Sequence, residues 1–250
     1  MPSIFEIKKI IPAESFFRWI ARVMAPLGIL ALWVGLLIAA ELYPPEYDWR
    51  YMTVTTLLRP ADNPGGHWWA AIGLDSCALC GLYWAALLPR HREQGGRGRH
   101  LGGIRALQFG YICMIFSTVL VRSFPIRKIH EIWAVLAFLC LDTGLVRLTF
   151  QTVEKTLRGR MRWVSGHAQW YAAAAAGAAA VPIVLAAAAQ AYVHFLRPEL
   201  PWVNLSWRTL GVPVYLSFAF WEWIACVVLS AYMVVLPFAI RTVYTPQKTG

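Results

Sequence analysis

Of 250 residues, 58% are hydrophobic and 14% are charged, against about a quarter charged in a typical soluble domain. This balance excludes a water-soluble globular fold. The net charge of +10 does not indicate a nucleic-acid partner either, because the basic residues fall between apolar runs instead of lining one face.

Taken in chain order, residues 1–21 mix Phe5, Ile10, Phe16, Phe17 and Trp19 with Lys8, Lys9 and Arg18. That pattern predicts a cytoplasmic amphipathic helix lying in the membrane interface. Apolar runs follow at 22–42, 67–89, 105–122, 129–149, 168–195 and 213–239. Each is about the twenty residues that cross roughly 30 Å of hydrocarbon as helix. The fold class is therefore all-α: a polytopic membrane bundle of six transmembrane helices over 22–239, with a tail at 240–250.

Lysine and arginine near the span ends set the orientation, since basic loops stay in the cytoplasm. The N-terminal segment, the loops after the second and fourth spans and the tail, with the residues flanking them, hold 16 of the 23 basic residues. Both termini are thus expected to be cytoplasmic, in a plasma or inner membrane. The Arg122 to Lys128 hairpin goes against the trend, with three basic residues on the side where they are disfavoured. Pairing with Glu131, Asp48 or Asp62 and binding of an anionic headgroup are equally good explanations.

The loop after the first span, about 43–66, carries Asp48 and Arg50 among aromatic residues and ends in Asn63-Pro64-Gly65. The loop before the last span carries Trp202 and Trp207, which suit the headgroup layer. The fifth span is alanine-rich, from Ala172 to Ala189 around Gly177 and Pro182. Small residues let helices approach closely in lipid, so this span is expected at the centre of the bundle or on a homo-oligomer or partner-helix face. Cys77 and Cys80 form a C-x-x-C inside a span, without the strand pattern of a redox fold, and read as packing residues.

Ionisable residues within spans are costly and point by default to function. Three such acids are Asp75, Asp142 and Glu222. His67, His130 and His194 fall at outer span ends, at one depth. Together with an acid they could bind zinc, although no pair of histidines is spaced to put two ligands on one helical face. Interfacial or packing roles are the plainer reading.

The stretch FPIRKIHEIWAVLAF places His130, Ala134 and Phe138 in an H-x-x-x-A-x-x-x-F pattern after Phe124-Pro125. Here the chain resembles the six-span membrane family of DRAM, FRAG and SFK proteins and the related prokaryotic domain-of-unknown-function 998 family. Tyr51 to Leu58 and Asn63-Pro64-Gly65 stand where that family has its first outer loop. Thr53, Thr55 and Thr56 occupy the place of the family's serine, and Glu131 the place of a frequent asparagine. The resemblance implies a protein tied to membrane lipid organisation or trafficking, without an established reaction.

The leading expectation is a non-enzymatic site for a lipid headgroup or small ligand on the outer side, built from His67, His130, Arg127, Lys128, Asp48 and Arg50, with membrane lipids as partners and no cofactor. Two alternatives stand beside it. One is a metal-dependent intramembrane hydrolase of the ceramidase kind, with zinc on His67, His130 and His194. The other is a proton-coupled transporter using Asp142 and Glu222.

Overall fold

A computed structural model describes residues 13–44, 46–87, 101–123, 127–160 and 167–244. Six long helices dominate: α1 (Ala13–Glu41), α3 (His67–Leu87), α4 (Leu101–Ser123), α5 (Arg127–Arg160), α6 (Ala168–Leu196) and α8 (Phe218–Tyr244). Each contains a stretch long and apolar enough to cross a membrane. Two short helices, α2 (Val54–Leu58) and α7 (Ser206–Thr209), lie in the loops before α3 and α8. A 3-10 turn at Val214–Leu216 leads into α8.

The outward faces carry exposed Leu30 and Leu37 on α1, Val184 and Phe195 on α6, and Val235 on α8. Apolar exposure on this scale is unfavourable in water and natural against acyl chains. The chain is an integral, multi-pass membrane protein. The expected spans agree with the helices to within a few residues, except that α5 is much longer and α8 starts later, after the 3-10 turn. Helix α1 also begins well before residue 22, so residues 13–21 continue into the first span. The rest of the expected interfacial segment lies outside the described residues.

Each long helix packs on the next in chain order, α8 returns to α1, and α5 also touches α8. The helices thus close a ring. Several of its contacts depend on glycine, two of them between backbones. On α1 and α3, a Cβ added to Gly35 would lie 2.5 Å from the Trp69 carbonyl oxygen and 2.8 Å from the Gly73 Cα, so the backbones touch only because neither position has a side chain. On α4 and α5, a Cβ at Gly144 would lie 2.9 Å from the Gly103 carbonyl oxygen. The alanine-rich α6 buries a stripe of Ala172, Ala176, Ala179, Pro182, Ala186 and Ala189, in the region where it meets α5 and α8. It is one wall of the ring with an exposed outer face, not a central pillar.

The 43–66 and 197–217 loops lie at the same end of the bundle, here the loop end. They form a cap. Tyr51 donates to the Val212 carbonyl at 2.8 Å, and Tyr51, Val193, Val203, Trp207, Val212 and Ala219 make a small core of their own. Trp207 is buried with its indole nitrogen donating to the Pro201 carbonyl, so it holds the cap together instead of sitting among headgroups. Asn63 is fully buried. Its amide nitrogen donates to the Ala39 and Leu57 carbonyls and its side-chain oxygen accepts from the Gly66 amide, tying the end of α1, helix α2 and the start of α3 together.

Candidate functional site

Helix α2 sits beneath the cap with Val54, Leu57 and Leu58 buried. Its first residue has a backbone N–H with no partner inside so short a helix. Glu222, on the second turn of α8, supplies one: its Oε2 accepts from the Val54 amide at 3.2 Å. Glu222 is only 7% exposed. This hydrogen bond ties the acid to the underside of the cap.

Below α2 lies a cavity of about 90 Å³, walled by Leu36 of α1, Cys77 of α3, Tyr111 of α4, Phe138 of α5 and Met233 of α8. That is room for several waters or a small organic group. Its wall is mainly apolar. The polar contributions are Thr55 of α2, Ser117 and Thr118 of α4, His130 of α5, and Glu222 and Ser230 of α8. Among these, Thr118 bonds to Asp75 of α3, and Ser230 accepts from the Trp33 indole of α1 at 3.1 Å.

His130 is 2% exposed. Its Nδ1 lies 2.9 Å from the Ser117 carbonyl oxygen and 3.0 Å from the Ser117 hydroxyl. A carbonyl oxygen only accepts, so the contact assigns the ring proton to Nδ1 and makes Nε2 a lone-pair acceptor in the neutral ring. Nε2 is buried and has no hydrogen-bond partner among the described residues. Leaving such an atom unsatisfied costs about 1–3 kcal/mol. The price falls on a ring that lines the cavity.

Glu222 also borders a second space, a groove of about 540 Å³ between α5, α6 and α8, lined by Phe138, Ile183, Ala187, Gln190, Ala191 and His194 among others. Glu222 and Phe138 line both spaces.

The expected site residues are not gathered in one place. His130 and Glu222 share the cavity, and His194 lies on the groove. His67 starts α3 with Nδ1 3.0 Å from the Asn63 carbonyl oxygen and its ring beside Trp68. Asp48 and Arg50 pair with each other through two 2.8 Å contacts, and Arg208 of the other loop approaches Asp48 at 3.9 Å. This hydrogen bonding from Arg50 holds the Asp48 carboxyl below the usual aspartate range. Asp142 is half-buried on α5, and its Oδ1 has no hydrogen-bond partner among the described residues. Arg127 and Lys128 occupy the first turn of α5, and their side chains, like Phe124 to Ile126, lie outside the described residues. Among the described residues, no three His, Cys, Asp or Glu side chains are grouped to hold a metal ion, and all five cysteines are free thiols.

Sequence reasoning does not single out Ser117, Thr118 and Ser230, and it names Thr55 only as standing in the place of the family's serine. Isolated hydroxyls in apolar helices satisfy themselves on the preceding turn, so nothing in the sequence separates those that face a cavity from those that do not. Protein-family models, curated proteins and solved structures give no match to this chain.

Proposed function

We propose that this membrane protein binds a small amphiphile within the bundle, its hydrogen-bond-donating head held by Glu222 and His130 and its apolar body in the surrounding cavity. The observation that carries this reading is that two buried ionisable side chains, Glu222 and His130 with its unpartnered Nε2, line one mainly apolar cavity whose other polar groups are hydroxyls. Pockets of this composition bind apolar molecules and use a few polar groups to orient them. The resemblance to the DRAM, FRAG and SFK family, with its tie to membrane lipid, supports the same direction. Relative to a headgroup site on Arg127 and Lys128, this reading moves the ligand inward and replaces an anionic group with a donor such as a hydroxyl or amine.

The test is photolabelling of purified protein with a diazirine derivative of octanol, followed by peptide mapping. Labels are expected on the cavity-facing residues of α4, α5 and α8, to be competed by octanol and not by octane, and to fall at least tenfold in a His130→Leu, Glu222→Leu double variant. Labelling spread evenly over the lipid-facing surface and unchanged in the variant would overturn the proposal.

A further inference from the structure

The cap leaves the cavity little access from its loop end. Val54, Thr55 and Leu58 of α2 form part of the cavity wall there, α2 is tied to Glu222, and Asn63 and the Tyr51 cluster fasten the loops above it. The groove on the far side of Glu222 runs along α6 from His194 to Ile183, roughly 16 Å at the helical rise. That is about half of the ~30 Å hydrocarbon thickness, the depth of one leaflet. Its polar groups, Gln190, His194 and Glu222, all lie towards the loop end, and the deeper part is lined by Ile183, Leu139, Ala186 and Ala187. The small alanine side chains of α6 leave the space, Phe195 borders its loop end, and Val184 on the same helix projects outward.

From this geometry we infer that the groove between α5, α6 and α8 holds the chain of a single-chain lipid with a hydroxyl or amine head, and that the ligand reaches Glu222 sideways from the bilayer. The inference rests on the binding reading above for the head at Glu222, and it adds the ligand class, the route and a longer tail that lies in the groove and not in the cavity. The head lies at the depth of Gln190, His194 and Glu222, and the tail follows α6 toward the middle of the bilayer, where a lipid chain already resides. Glu222, the acid at this depth, favours a donor and disfavours a phosphate or carboxylate head, while Gln190 and His194 can donate or accept.

The experiment uses the full-length protein in lipid nanodiscs with three photoactivatable probes carrying a mid-chain diazirine: hexadecanol, hexadecylamine and palmitate. The alcohol, the amine or both are expected to label α5, α6 and α8 along the groove, at least fivefold above palmitate. Ala187→Trp, which fills the groove, should reduce that labelling about tenfold, while Val184→Trp on the outer face should leave it unchanged. Circular dichroism and elution volume identify folded variants, and Ala191→Trp serves as the second groove-filling variant. If groove labelling is the same in the Trp variants of Ala187 and Ala191 as in the parent, or if palmitate labels equally well, the inference is overturned. The octanol probe separates the two proposals. Its cavity labelling surviving in the parent while the long-chain probes fail sinks only the groove, whereas failure of octanol in the parent sinks the binding reading itself.

Discussion

Asp48 shows how a single side chain serves the cap. It is 4% exposed, yet its partner Arg50 remains 42% exposed, so the pair is half in solvent and part of its attraction is screened. Its carboxyl is held below its ordinary value of 3.8 by the Arg50 hydrogen bonds. A group whose folded value is depressed contributes stability above its unfolded value and loses it as pH falls through the folded one. The cap is therefore expected to keep this contribution at neutral pH and lose it progressively below about pH 4. Asp48→Ala should cost about 1–2 kcal/mol at pH 7 and much less at pH 3, read by thermal unfolding in detergent. An equal cost at both pH values would mean that the carboxylate charge is not what matters. Asn63→Ala should cost more, about 2–3 kcal/mol, because it leaves two carbonyls and one amide without a partner.

Residue chemistry was partly legible beforehand. His130 and Glu222 stand out in any reading, since ionisable groups inside apolar spans are rare. That they share one cavity follows from the packing of α5 on α8, two helices far apart in sequence, and periodicity within each helix carries no information on that. Asp48 and Arg50 are expected ligand residues because a charged, aromatic loop is more than a tether. Their separation of only two residues lets them pair with each other, which the sequence alone does not show.

At the scale of elements, the helices themselves were legible because span length and apolar composition are fixed by the bilayer. The short helix α2 was not. Its sequence, VTTLL, is too brief for a helical period, and its place beneath the cap depends on Asn63 and Glu222, neither within its own stretch. The α1–α3 contact makes a further prediction. Gly35→Val puts a branched side chain where even a Cβ would meet the Trp69 carbonyl and Gly73. The helices would have to separate, at a cost of about 1–3 kcal/mol, measured as a lowered melting temperature. Gly177→Val on α6, where nothing lies within 4 Å of an added Cβ, should leave the melting temperature nearly unchanged. A comparable loss at both positions would contradict the tight α1–α3 seam.

For the whole molecule, a ring of six helices places both long loops at one end and both helical termini, α1's start and α8's end, at the other. The distribution of basic residues led us to propose that the loop end is the outer one. Glu199→Cys in the exposed 197–217 loop should then react with a membrane-impermeant maleimide in intact cells. Reaction only after permeabilisation would reverse the orientation and leave the fold untouched.

The central claim is that Glu222 and His130 hold an amphiphile inside this ring. Native mass spectrometry of the protein released from mild detergent tests it most directly. The account predicts about one molecule of a hydroxyl- or amine-bearing amphiphile retained per chain by the parent protein, and its loss from the His130→Leu, Glu222→Leu variant under the same activation. Equal retention in both proteins, or a retained lipid without a donor head, would contradict it.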